Sequence, residues 1–148
     1  MLHLTPHFTL EELTASDTAA RLGLPNKPDP LSGENLKRLA DFLEQVKALL
    51  GGKPIMVSSA YRSPAVNAAV GSKPTSQHTI GCAADFRVPG MSPDEVVRKI
   101  KGSALPFDQL IREYDRWTHV SIANTVSTPA RRQALIIDRE SPNGRPFA

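Results

Sequence analysis

The clearest amphipathic pattern in the chain lies between Ser32 and Gly52. Apolar residues recur there at intervals of three and four positions, the spacing of one face of an α-helix; they are Leu36, Leu39, Ala40, Leu43, Val46 and Leu50. A serine precedes the pattern and two glycines follow it, as is common at helix ends. The pattern predicts a helix of about four turns. The preceding segment, Leu24–Leu31, contains three prolines and is predicted to be a loop.

Three shorter helices are predicted from residues that cap helix N-termini. A side-chain oxygen at such a position accepts a hydrogen bond from a backbone amide that the helix leaves unpaired. The predicted helices are a short one within Phe8–Leu13 capped by Thr9 and Glu12, Ala65–Val70 after Ser63-Pro64, and Pro93 to about Lys101 after Ser92. In the last of these, we expect the apolar residues to be buried, namely Val96, Val97 and Ile100.

Five segments are predicted to be β-strands because they are short, apolar and bounded by turn residues. They are Pro54–Ala60, Ala84–Val88, Phe107–Glu113, Trp117–Ile122 and Gln133–Asp138. The polar segment Ser72–Cys82 is predicted to be an exposed loop over the sheet. Helices come first and strands later, which favours an α+β fold with a small central antiparallel sheet and flanking helices.

The length and composition indicate one folded unit. A chain of 148 residues has the usual size of one domain, so we expect residues 1–148 to form a single domain. Hydrophobic residues make up 40% and charged residues 22%, which excludes a disordered chain. A domain of this length buries roughly 70% of the surface of its unfolded chain, so it needs neither disulfides nor a structural metal. Any metal is therefore expected to be functional.

The charge pattern and the cysteine content exclude several other classes of protein. The net charge is only +3 and the basic residues are scattered, so no nucleic-acid partner is predicted. The single cysteine, Cys82, cannot form an internal disulfide, which indicates synthesis in a reducing cytoplasm. Residues Met1–Leu10 lack the features of a signal peptide, and no run approaches the ~20 apolar residues of a membrane span. The sequence predicts no oligomeric state.

Two histidines and an aspartate are the candidate chemical site. His78 and Asp85 are separated by a segment that contains a glycine, and His119 lies in a predicted strand. Two imidazoles and one carboxylate suit zinc, and three protein ligands leave a fourth position for the water that a catalytic site needs. The spacing alone is also compatible with hydrogen-bonded histidines and an aspartate that caps a turn.

The sequence around these residues resembles that of a known metallopeptidase family. Residues 76–85, Ser-Gln-His-Thr-Ile-Gly-Cys-Ala-Ala-Asp, are similar to the Ser-x-His-x-x-Gly-x-Ala-x-Asp signature of zinc D-alanyl-D-alanine carboxypeptidases and their relatives, the group that also contains sonic hedgehog. Two further blocks resemble the upstream arginine motif and the last metal-binding strand of this family, namely Ser58–Pro64 with Asn67, and Trp117–Ser121. The blocks follow the order of the family and cover about Ile55–Ile122.

The resemblance implies zinc as the cofactor and a role for each matching residue. It implies three zinc ligands in an open cleft, namely His78, Asp85 and His119. Arg62 corresponds to the cation that holds a substrate carbonyl or carboxylate, a task that suits the planar fork of a guanidinium. The alternative for Arg62 is a surface salt bridge. Ser76 and Gln77 are candidates for orienting the ligands.

The chain departs from the family at the position of the general base. Many relatives have an acidic residue three positions before the last metal histidine, or a histidine two positions before it, where this chain has Arg116 and Trp117. The available carboxylates are Glu113 and Asp115, and some relatives, including the hedgehog type, have a glutamate at the spacing of Glu113. A hairpin between the two adjoining strands would bring Glu113 beside His119, whereas an aspartate in a turn commonly binds local amides. We therefore predict Glu113 as the base, with Asp115 as the alternative.

The resemblance implies a zinc peptidase that hydrolyses peptide bonds in the stem peptides of peptidoglycan, next to a D-amino acid, as a D,D-carboxypeptidase or an endopeptidase. A compact chain without a signal segment is similar to phage-type wall hydrolases, which reach the bacterial cell wall through a lysis system or on the virion. The alternative is a non-catalytic zinc-bearing binding or phage structural module with the same fold. The departure at the base position favours that alternative.

Overall fold

The chain forms eight strands and five α-helices in the computed structural model, which describes residues 2–148. The strands are β1 (His3–Thr5), β2 (Phe8–Thr9), β3 (Met56–Ser59), β4 (Ala83–Arg87), β5 (Gln109–Glu113), β6 (Trp117–Ser121), β7 (Gln133–Ile137) and β8 (Arg145–Pro146). The helices are α1 (Leu10–Thr14), α2 (Asp17–Leu22), α3 (Pro30–Leu49), α4 (Pro64–Ala69) and α5 (Pro93–Lys101). The predicted α+β class is confirmed.

Six of the strands form the central sheet in the order β3-β4-β6-β5-β7-β8, while β1 and β2 form a separate pair. Four of the five pairings between adjacent strands are antiparallel, and the pairing of β5 with β7 is parallel. The expectation of an antiparallel sheet is therefore wrong at this pair of strands. The reason is that β4 and β5 occupy both edges of β6. The chain leaving β6 therefore runs back past the start of β5, where Arg132 and Gln133 donate to Phe107 and Asp108, and pairs with the free edge of β5.

The helix predictions are confirmed at their capping residues. Thr9, Ser63 and Ser92 each accept a hydrogen bond from the amide three residues on, and Ser92 forms a complete capping box with Glu95. Helix α2 was not predicted. Helix α3 begins at Pro30, so the predicted loop Leu24–Leu31 is wrong at its last two residues, because the fixed φ of proline suits the first turn of a helix.

One hydrophobic core joins α3, α5 and one face of the central sheet. The core contains every residue of the predicted stripe and also Phe42 of α3, which the stripe did not include. The sheet contributes Ala84, Phe86, Leu110 and Val120. The predicted burial of the apolar residues of α5 is confirmed. None of the helices within residues 2–148 has the length and apolar character needed to cross a membrane.

The segment predicted to be an exposed loop, Ser72–Cys82, instead contains a buried 3₁₀ helix at Gln77–Ile80. The hydroxyl of Ser76 caps this helix, and Gly81 ends it in a left-handed conformation (φ 77°). Gly81 packs so closely on α3 that a Cβ there would lie 2.6 Å from the carbonyl oxygen of Ser32. The prediction of exposure holds for residues 73–75 and is wrong for residues 76–82, because polar groups there pair with the rest of the fold; one example is the carbonyl of Ile80, which accepts from Asn35.

Candidate metal centre and its cleft

The register of the sheet brings two of the three candidate ligands together. Asp85 on β4 lies directly opposite His119 on β6. Alternate residues of a strand point to opposite faces, so both side chains lie on the face away from the hydrophobic core. On the next strand, Glu113 pairs with Trp117, two residues from His119, and therefore points to the same face. The sheet thus presents a histidine and two carboxylates side by side.

The third candidate ligand, His78, reaches this face from the 3₁₀ helix. Its side chain is 3% exposed, and its Nδ1 donates to the carbonyl oxygen of Ala60 at 2.6 Å. Because a carbonyl can only accept, the proton lies on Nδ1 and Nε2 keeps a lone pair for a metal. The backbone amide of Arg62 donates to the carbonyl of His78 at 3.0 Å, so the segment after β3 supports both ends of this residue.

His78, Asp85 and His119 form a cluster with the dimensions of a metal site. One ligand atom from each lies within 4.8 Å of the others. Asp85 Oδ1 lies 2.8 Å from Nδ1 of His119, and Asp85 Oδ2 lies 3.4 Å from Nε2 of His78. This donor set is that of three-ligand zinc sites, whereas magnesium and calcium prefer oxygen ligands alone. The residues present therefore fit zinc.

The charges of Asp85 and His78 also suit a metal. Burial alone would raise the pKa of Asp85, but the hydrogen bond from His119 and the nearby imidazole of His78 outweigh burial and hold the pKa well below its usual range. Burial lowers the pKa of His78 and favours its neutral form. Metal ligands must be deprotonated, so a charged carboxylate beside a neutral imidazole is the combination that a cation needs.

A cleft of about 290 Å³ opens over the cluster, and two further charged side chains line it, Glu113 and Arg62. Burial raises the pKa of Glu113, and the nearby charge of Asp85 raises it further, which favours proton uptake closer to neutral pH. Arg62 takes part in none of the ion pairs within residues 2–148, and its buried Nε has no acceptor there. The surface salt bridge considered for Arg62 is therefore absent from the described part of the chain.

Asp115 lies outside this cleft. It occupies the turn between β5 and β6, where Tyr114 and Asp115 both adopt left-handed backbone conformations (φ 52° and 51°). The residues that line the cleft include Glu113 but not Asp115, which lines a different cavity. The structure thus brings five of the six sequence-predicted site residues together in the cleft. The sixth, Asp115, lies in the turn of the hairpin, outside the cleft.

The residues that support the ligands were only partly found from the sequence. Ser76 orients His78, since its hydroxyl accepts from the amide of His78 at 3.3 Å. Gln77 contacts no ligand, and its Nε2 instead donates to Asp108, Ile122 and Asn124. Asp108 is buried and bound by the guanidinium of Arg131, which is 23 residues distant. No local sequence pattern predicts an ion pair between residues so far apart. No pattern predicts that the backbone carbonyl of Ala60 accepts a hydrogen bond from His78.

Comparison with known proteins agrees with this geometry. A family model described as Peptidase M15 matches residues 6–121, a range that contains all three candidate ligands, Arg62 and Glu113. No curated protein matches the chain. Since the matched range covers most of the chain and the whole metal centre, the chain belongs to the peptidase M15 family of zinc metallopeptidases, which act on peptidoglycan.

Proposed function

We propose that this protein hydrolyses a peptide bond in the stem peptides of peptidoglycan, next to a D-amino acid. The observation that carries the proposal is the set of residues in one cleft, where a zinc-type ligand cluster, a half-buried carboxylate and an arginine without an ion pair lie together. A site that only held a metal would need neither the carboxylate nor the arginine. Their presence supports catalysis over the non-catalytic module.

His78, Asp85 and His119 would hold zinc, and the chemistry it would supply when bound is acidification of the attacking water and polarisation of the scissile carbonyl. Arg62 offers guanidinium N–H groups to the carbonyl oxygen, and these bonds strengthen as negative charge develops on that oxygen. Glu113 accepts a proton from the attacking water and delivers it to the amine nitrogen as the C–N bond breaks. The products are a carboxylate and a free amine.

The cleft lets these side chains work without rearrangement. Ala60 holds the imidazole of His78 in one tautomer, and the antiparallel register keeps Asp85 against His119. Both the carboxypeptidase and the endopeptidase reactions fit this machinery. The proposal includes delivery to the bacterial cell wall by a phage-type lysis system or on a virion, as the sequence resemblance suggests.

The test is digestion of purified peptidoglycan and of synthetic stem peptides, with the products identified by mass spectrometry. We expect new amine and carboxyl termini next to a D-amino acid, and none with a His119→Ala variant. Treatment of the wild-type protein with a chelator should stop product formation, and only the return of zinc should restore it. A protein that binds zinc stoichiometrically but releases no product from either substrate would instead be the non-catalytic module.

A further inference from the structure

A second cavity, of about 780 Å³, adjoins the metal cleft at the β5–β6 hairpin. We call it the hairpin cavity; it lies between the turn at residues 114–116 and the segment at residues 138–145. Trp117 lines both the hairpin cavity and the metal cleft. The volume of the hairpin cavity is within the range of sites that bind small molecules. The hairpin cavity and the metal cleft are therefore neighbours that share Trp117.

Two aromatic rings form one wall of the hairpin cavity. The rings of Tyr114 and Trp117 have centroids 6.0 Å apart and planes inclined by 39°. Tyr114 is 44% exposed although its backbone is left-handed, and its amide donates to the carbonyl of Ile137 at 2.8 Å. A large side chain in this conformation costs free energy that the surroundings must offset. The turn thus keeps an aromatic face open to solvent beside the cleft.

The charges around the hairpin cavity balance. Two of its four arginines are committed to ion pairs, Arg112 with Asp94 and Arg145 with Asp138. The two other arginines are Arg116 and Arg139, and the cavity also contains two other carboxylates, Asp115 and Glu140. The numbers of these positive and negative charges are therefore equal. The cavity therefore offers many donors and acceptors but little net charge, which favours a neutral polar ligand over an anion.

Two buried donors at the hairpin cavity have no partner within residues 2–148. They are the indole N–H of Trp117 and the Nε–H of Arg112. Each of these atoms has almost no exposed surface, so a ligand oxygen reaches it only when the side chain turns toward the cavity. An unsatisfied buried donor is costly, which favours that movement when a ligand brings an acceptor oxygen. A carbonyl or hydroxyl oxygen provides this without adding charge.

We propose that the hairpin cavity binds a neutral N-acetylated sugar of the peptidoglycan strand while the attached peptide occupies the metal cleft. The apolar C–H face of a pyranose ring packs on the negative face of an aromatic ring. Its hydroxyl and acetamido groups meet the mixed donors and acceptors. This inference rests on the proposed function, because the peptide in the cleft must be one that carries a sugar.

The first test is a binding titration that does not depend on catalysis. Trp117 is the single tryptophan of the sequence, so intrinsic tryptophan fluorescence reports on the hairpin cavity and the adjoining metal cleft, and the Tyr114 variants below assign the signal to the hairpin cavity. We expect a saturable emission change with a peptide-free N-acetylglucosamine tetramer. Tyr114→Asn should weaken the apparent affinity about tenfold, since asparagine tolerates the left-handed backbone but removes the ring. Tyr114→Phe should bind as the wild type does, and Val126→Ala, at an exposed residue outside the cavity, serves as the control.

Absence of any emission change with the tetramer would overturn the proposal. A saturable response to inorganic phosphate in place of the sugar would also overturn it and identify an anion site instead. Circular dichroism of Tyr114→Asn shows whether lost binding reflects unfolding, and a folded variant that binds the tetramer like the wild type counts against the aromatic wall.

The second test is kinetic and separates this inference from the proposed function. We expect kcat/KM for a disaccharide-bearing stem peptide to exceed that for the same peptide without sugar by about tenfold. Tyr114→Asn should remove this preference and leave the rate on the sugar-free peptide unchanged. Equal rates on the two substrates would overturn the sugar site and leave the peptidase proposal intact. If neither substrate is cleaved, the peptidase proposal fails, and the fluorescence titration still decides whether the cavity binds sugar.

Discussion

Glu113 and Asp115 are two positions apart in the chain, but only Glu113 lines the metal cleft. Glu113→Gln keeps the shape of the side chain and removes its basicity. We expect this variant to bind zinc normally and to lose about 10²- to 10⁴-fold in turnover of peptidoglycan fragments, the usual contribution of a general base. Asp115→Asn should be nearly silent.

Steady-state assays on one fragment preparation, with zinc content measured in parallel, decide between the two carboxylates. If the variants exchange these phenotypes, Asp115 is the base. If neither loses activity, proton transfer does not depend on either carboxylate.

Arg62 lies in the same cleft without an ion pair among the described residues. Arg62→Lys keeps the positive charge but loses the planar fork that can hold an oxygen in two places. We expect zinc content to be unchanged and turnover to fall by about 10²-fold, as when one oxyanion donor is removed. A variant as active as the wild type would show that the guanidinium does not contact the developing charge.

At the scale of the elements, the 3₁₀ helix depends on its contact with α3. Gly81→Ala faces a left-handed backbone that costs roughly 1–2 kcal/mol for other residues, together with a Cβ only 2.6 Å from the carbonyl of Ser32. We expect a loss of stability above that range and weaker zinc binding, because the helix that carries His78 must move. Gly71→Ala is the matched control, since Gly71 has nearly the same φ (76°) and open space around it.

Chemical denaturation and competition with a zinc chelator measure these two effects. Equal losses of stability and of zinc affinity in the two glycine variants would contradict this prediction. They would mean that only the backbone conformation matters and that the packing of Gly81 on α3 does not position His78.

The pair of Asp108 and Arg131 ties the start of β5 to the segment before β7. Burial alone would raise the pKa of Asp108, but the hydrogen bonds from Arg131 outweigh burial and leave the pKa below its usual value. The stabilisation is therefore present above the pKa of the unfolded chain, about 4, and is lost as the pH falls through the lower folded value. Asp108→Asn should cost about 1–2 kcal/mol at neutral pH, because Arg131 is half exposed and water screens the pair.

Urea denaturation at a series of pH values tests this prediction. The difference in unfolding free energy between the wild type and Asp108→Asn should shrink as the pH falls from about 4 through the lower folded pKa, because the carboxylate binds a proton first in the unfolded chain and then in the folded protein. A difference that stays constant to low pH would show that the charge of Asp108 contributes nothing.

At the scale of the whole molecule, the hydrophobic core does not include the metal ligands. The core joins α3, α5 and the inner face of the sheet, and the ligands lie on the opposite face or at its edge. We therefore expect the zinc-free protein to keep its circular dichroism spectrum while losing activity. Elemental analysis should find one zinc per chain in the wild type and none in His78→Ala. Unfolding on chelation would mean that the metal is structural.

Local patterns in the sequence determined most of the helices and strands. The apolar stripe of α3 and the serine caps of α4 and α5 depend on contacts within a few residues, so the sequence shows them directly. The resemblance of residues 76–85 and 117–121 to a known motif pointed to the three candidate ligands, because the motif preserves the residue types that a zinc ion needs.

Tertiary structure decided the features that depend on residues far apart in the chain. The register of β5 against β6 places Glu113 near the ligands and Asp115 beyond them, and the occupied edges of β6 make β7 parallel to β5. The burial of His78 depends on Ala60 and on the close contact of Gly81 with α3, and the aromatic wall beside the cleft depends on two left-handed residues in a turn. Local propensity and periodicity carry no information about such contacts, since their free energy comes from partners that only the folded chain brings together.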